Sequence, residues 1–175
     1  MALLPVVKYG DPILRKKTAP VENIPGVLDL LDDMFETMYE EGGMGLAANQ
    51  VGLDMHFAVI DITHDEEDEA PRVFINMKVL ESNGTSDMEE GCLSIPDIRA
   101  TVTRPEMILL RYQDEAGEVR EDQFEGLLSR VIQHEVDHLN GIFFTDHLTP
   151  AKRSMIIKRL AEIAEMGAPT TGIVL

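Results

Sequence analysis

The pentapeptide His134-Glu135-Val136-Asp137-His138 is the part of this sequence best equipped for chemistry. Residues four apart stand one above the other on a helix, so both imidazoles can be aimed at a single metal ion. Leu127 and Val131 share the helical face of the two histidines, whereas Leu128, Ile132, Val136 and Leu139 form a separate stripe suited to a core. The histidines therefore border an apolar recess. Glu135 sits about 100° of helix rotation from His134, between the two faces. A carboxylate there is costly unless it has a task. Two histidines on an amphipathic helix also arise by chance, and two imidazoles alone do not complete a catalytic site.

Catalytic metal sites usually take three protein ligands and leave a position open for water or substrate. Cys92, in Glu90-Gly91-Cys92-Leu93-Ser94, is the best candidate for the third. Glycine lets the backbone approach closely, and thiolate binds soft or borderline metals well. As the only cysteine it cannot form an intramolecular disulfide, and a lone cysteine is also able to serve as a buried filler or a reactive thiol. His56, His64 and His147 lack a spaced partner and read as ordinary surface or loop histidines. No third histidine extends the motif to H-E-x-x-H-x-x-G-x-x-H, which counts against a zinc endopeptidase.

The elements around these residues follow from periodicity. Pro25 starts a first helix whose apolar set Val27, Leu31, Met34, Phe35 and Met38 runs until Gly42-Gly43. Short strands are expected at 57–60, 73–75, 101–103, 107–112 and 119–124, with a hairpin turn at Asp114-Glu115-Ala116-Gly117. The second helix, carrying the histidines, spans about 126–140 and stops at Gly141. A third, with Thr149 as cap and Pro150 in its first turn, covers about 150–166, leaving a tail at 167–175. The expectation is one α+β domain over 1–175, with mixed or antiparallel strands packed around the central H-E-x-x-H helix and helices at both ends.

A chain of 175 residues can bury a sizeable core. Its 32 acidic against 15 basic side chains, a net charge of −17, argue against broad contact with nucleic acid or an anionic membrane and favour a soluble monomer. The acidic run 65–69 reads as a solvated loop. No apolar stretch reaches the roughly 18 residues of a membrane span, and the start Met1-Ala2-Leu3-Leu4-Pro5 lacks the pattern of a signal peptide, so the cytoplasm is the expected compartment.

Three segments, in this order, resemble the peptide deformylase family: Gly43-Met44-Gly45-Leu46-Ala47-Ala48-Asn49-Gln50, then Glu90-Gly91-Cys92-Leu93-Ser94, then Gln133-His134-Glu135-Val136-Asp137-His138-Leu139-Asn140-Gly141. The similarity runs through nearly the whole chain except the acidic loop and the tail. Minor departures are Asp97-Ile98 after Pro96, where the family commonly has a longer acidic side chain, and the apolar end Ile173-Val174-Leu175. The resemblance implies hydrolysis of the formyl group from the N-terminal formyl-methionine of nascent polypeptides. It implies Cys92, His134 and His138 as ligands of one divalent metal, ferrous iron in the cell and exchangeable for zinc, nickel or cobalt. Glu135 would be the general acid and base, while the Gln50 amide and the Leu93 backbone N–H would donate to the oxyanion.

Met44, Leu127 and Val131 could enclose the methionine side chain, and Gly45 and Gly91 could expose backbone to an extended peptide. Arg99 would support the site through a carboxylate partner, with a solvated surface arginine as the alternative. The basic residues Lys152, Arg153, Lys158 and Arg159 suggest docking of the C-terminal helix on the ribosome, against a merely solvated face. A catalytically inert ribosome-associated relative is disfavoured by the intact Glu135 and Gln50.

Overall fold

A computed structural model describes residues 2–167; beyond Gly167, the expected tail lies outside the described residues. Five strands form one antiparallel sheet in the order β1 (Gly45–Ala47), β2 (Phe57–Ile60), β3 (Arg72–Asn83), β6 (Met107–Gln113) and β7 (Val119–Glu125). Two more, β4 (Ser86–Cys92) and β5 (Ile95–Arg104), pair as a separate antiparallel sheet. The helices are α1 (Ile24–Leu28), α2 (Leu31–Glu40), α3 (Gly126–Leu139), α4 (Pro150–Ser154) and α5 (Ile157–Gly167). The α+β architecture and the helix carrying both histidines agree with the sequence.

Alternation along β2 explains how the larger sheet fills both of its faces. Ala58 and Ile60 join the core under α3, with Leu128, Ile132, Val136 and Leu139. Phe57 and Val59 point the other way, into a cluster with Val27, Met34 and Met38 of α1 and α2. A third cluster, around Ile95, Val102, Phe143, Phe144 and Leu160, packs the small sheet against α5. Helix α3 is thus walled in on several sides, and ten of its fourteen residues are buried.

Several expectations need correction. The first helix is broken in two. Pro25 stands in the first turn of α1 as anticipated, with Asn23 as its cap, but Leu30 N–H bonds back to the Val27 carbonyl, a tighter i−3 closure that ends the first helix before α2 begins. The C-terminal helix breaks likewise at Met155 and Ile156, where N–H groups bond to Lys152 and Arg153 carbonyls three residues back. The strand expected at 101–103 is part of the ten-residue β5, whose partner β4 was unforeseen because Ser-Asp-Met-Glu-Glu-Gly-Cys is too polar to read as a strand. His56 lies in the loop before β2, but buried rather than at the surface, with its Nδ1 3.0 Å from Thr18 Oγ1. The hairpin turn is as read, with Gly117 at φ +80° and its N–H on the Asp114 carbonyl at 2.9 Å.

Candidate metal centre and active site

The C-terminal end of β4 brings Cys92 against α3. Cys92 Sγ lies 3.1 Å from His138 Nε2, which is itself 3.1 Å from His134 Nε2. All three donor atoms fall within 4.8 Å of one another. On the far side of its ring, His134 Nδ1 is 2.8 Å from Glu90 Oε1. An ionised carboxylate can only accept, so Nδ1 carries the proton and Nε2 turns its lone pair to the centre.

Glu90 is held by more than this histidine. Arg104 grips it through Nε (2.6 Å) and Nη2 (2.9 Å), and Arg130 adds Nη1 at 2.8 Å. Arg104 also reaches Asp137 at 2.7 Å, and Asp137 contacts His147 Nε2 at 2.7 Å. Burial would raise the Glu90 carboxyl, but hydrogen bonds from His134 and Arg104 keep it far below the usual carboxylate range. Burial lowers His134, yet its bonds to Cys92 and Glu90 raise it to about 10, while burial and the His134 charge push His138 well down. The proton so favoured on His134 lies among the three donor atoms, where a bound metal cation would displace it and leave the Nε2 lone pair free to coordinate. A sulfur and two imidazole nitrogens so arranged fit a divalent transition-metal ion, which would satisfy all three at once.

Glu135 is 3 % exposed, and within the described residues its Oε2 has no hydrogen-bond partner. Burial, assisted by the Glu90 charge and opposed by His134 and Arg104, raises its carboxyl to about 7. The glycine at position 45 makes room for it: a Cβ there would come within 2.5 Å of Glu135 Oε1. Gln50 ends up buried in a 3₁₀ turn at Ala48–Val51. Its Oε1 accepts from Ala47 N–H at 2.9 Å, which fixes the amide so that Nε2 faces Cys92 Sγ (3.6 Å) and Ser94 Oγ (3.2 Å). Asn49 beside it donates to the His138 carbonyl at 2.6 Å, tying this turn to α3.

A cavity of about 510 Å³ opens over the centre, between β1 and β4. Met44, Gly45, Gln50, Gly91, Cys92, Leu93, Arg99, Leu127, Val131, His134 and Glu135 all line it, so every candidate from the sequence except His138 meets there. His138 lies beneath, 1 % exposed. Arg99 has a carboxylate partner, Glu89 at 2.7 Å, but both side chains are mostly exposed at the rim. The buried guanidiniums belong to Arg104 and Arg130, which sequence reasoning did not single out. Arg130 was detectable, because it precedes His134 by one helical turn. Glu90 was too, since alternate strand residues share a face and Cys92 is two places on. Nothing local marks Arg104, which arrives through the pairing of Ser86 with Arg104.

A glutamate with a carboxyl near neutrality, beside two histidines and a thiol that converge on one point, is the equipment of a metallohydrolase. Comparison with known proteins gives the family. The model of the polypeptide deformylase family matches residues 3–154. A peptide deformylase 2 of Xanthomonas campestris pv. campestris is 48% identical over 167 residues, 93% of this chain and 97% of that protein. A peptide deformylase of Mesorhizobium japonicum is 45% identical over 171 residues, 97% of each. Among solved structures, the peptide deformylase of Thermus thermophilus superposes with a TM-score of 0.87 at 38% identity, covering 94% of this chain and 99% of that one. That of Legionella pneumophila gives 0.84 at 38%, covering 96% and 99%. The chain belongs to the peptide deformylase family, hydrolases acting on the formyl amide.

Proposed function

We propose that this chain, as one catalytic domain, removes the formyl group from the N-terminal formyl-methionine of nascent polypeptides and releases formate. One divalent ion held by Cys92, His134 and His138 would serve the reaction, ferrous iron in the cell, with zinc, nickel or cobalt able to replace it. The observation carrying this reading is the convergence of the Cys92, His134 and His138 donor atoms within 4.8 Å of one another, next to the buried Glu135 carboxyl in the wall of the cavity. When bound, such an ion is a Lewis acid that makes water a competent nucleophile at neutral pH.

The chain's own groups then have separable tasks. Glu135 takes a proton from the attacking water and returns it to the leaving amine, work suited to a group that titrates near neutrality. Gln50 Nε2, locked by Ala47, and the Leu93 backbone N–H donate to the developing oxyanion. Gly45 and Gly91, on strands flanking the cavity, leave backbone open to an extended peptide, and Met44, Leu127 and Val131 enclose the methionine side chain. The substrate lacks an N-terminal ammonium, so the pocket needs no carboxylate to receive one. The protein acts as a monomer in the cytoplasm.

Glu135→Gln separates binding from chemistry. The amide keeps the size of the side chain but cannot take up and return a proton. The variant is expected to retain one metal ion and bind formyl-methionyl peptide, while kcat falls on the order of 10² to 10⁴-fold. A rate within a few-fold of the parent would remove Glu135 from the mechanism; loss of the metal would make it a ligand or a structural group.

A further inference from the structure

The N-terminal segment touches both proposed oxyanion donors. Val7 N–H donates to the Gln50 carbonyl at 2.7 Å, and Tyr9 N–H to the Ser94 carbonyl at 2.8 Å. Between them, the Lys8 ammonium donates to the Leu93 carbonyl at 3.0 Å, across 85 positions of sequence. Three successive residues therefore hold the 3₁₀ turn of Gln50 and the Leu93-Ser94 turn side by side. Ser94 closes the arrangement by accepting from Gln50 Nε2.

Lys8 is the unusual member. In a chain with 32 acidic residues its ammonium is directed to a neutral carbonyl, half-buried in the wall of the cavity that holds Gln50, Leu93 and Glu135. A charged donor on a carbonyl makes a stronger and more directional bond than a neutral one.

We infer that Lys8 is a positioning residue for the deformylation reaction: its ammonium fixes the Leu93-Ser94 turn, and with it the two hydrogen-bond donors at the oxyanion. The inference rests on the reading of Gln50 and Leu93 as those donors. The Lys8 contribution belongs to the transition state more than to the bound substrate, so its loss appears in kcat rather than in KM.

The test compares metal-loaded Lys8→Met, Lys8→Arg, Gln50→Leu and the Lys8→Met/Gln50→Leu double variant on one formyl-methionyl peptide, with metal content and melting temperature measured on each sample. Lys8→Met should keep its metal and melting temperature, lose kcat on the order of ten-fold, below the 10² to 10³ of a direct donor, and hold KM within about two-fold. Lys8→Arg should recover most of the rate. The double variant should be slower than Gln50→Leu alone but by less than the product of the two single losses, because Lys8 acts on Gln50 through Ser94 and on the Leu93 donor directly. A full rate in Lys8→Met beside a slow Gln50→Leu would overturn the role of Lys8 and leave the donors standing. An undiminished Gln50→Leu would instead remove the donor reading itself. Losses that simply multiply in the double variant, or that follow lost metal or stability, would likewise defeat the proposal.

Discussion

Glu90 accepts from His134, Arg104 and Arg130 together, and all four side chains are nearly or wholly removed from solvent. Its charge fixes the ring orientation and tautomer of His134, since a carboxylate offers no proton of its own. Replacing it by glutamine keeps the volume but turns an N–H₂ group toward one of three donors. Glu90→Gln is therefore expected to weaken metal binding by about 10 to 100-fold and to cost on the order of 3–5 kcal/mol of stability, as when one member of a buried ion cluster is removed. Chelator competition and urea unfolding measure the two effects. Unchanged metal affinity would mean that His134 is oriented by packing against Phe144, whose ring lies 6.0 Å away, rather than by Glu90.

Among the elements, α3 was the most legible. Its apolar stripe, its termination before Gly141 and the spacing of both histidines are local features, so the helix and the face that carries the two imidazoles could be read from the sequence. β4 was illegible for the opposite reason. Its burial comes from Arg104 and Arg130, brought by distant parts of the chain to Glu90, and polar residues that satisfy one another leave no apolar alternation to read. The break between α4 and α5 also escaped notice, and it alters how the basic cluster is displayed. Arg153 is paired with Asp146 and Arg159 with Asp97 and Glu162, whereas Lys152 and Lys158 are exposed beside the apolar Met155 and Ile157. Docking of this region on the ribosome, a second proposal for the chain, would fall to the two lysines. Lys152→Glu/Lys158→Glu should reduce co-sedimentation with ribosomes, most visibly at low salt, and leave turnover of a free peptide unchanged. Equal co-sedimentation of parent and variant would dismiss the patch.

For the whole molecule, the net charge of −17 argues against broad contact with nucleic acid, and the cavity lies between the edges of the two sheets. No helix among the described residues is long and apolar enough to cross a membrane. The three sequence segments, separate along the chain, meet because β1, the turn bearing Gln50 and the end of β4 all close on α3, through Gly45, Asn49 and Cys92 respectively. On the proposed function, this junction hydrolyses a formyl amide with one bound metal ion. The most direct measurement is formate released from a formyl-methionyl peptide by anaerobically purified protein, with the metal content of the same sample determined. Formate should appear in step with metal bound, approach one ion per chain at full activity, vanish on chelation and return on adding ferrous iron, while the internal peptide bonds stay intact. Full turnover by metal-free protein, or cleavage of internal bonds in place of formate release, would show that the junction is not a metal-dependent deformylase.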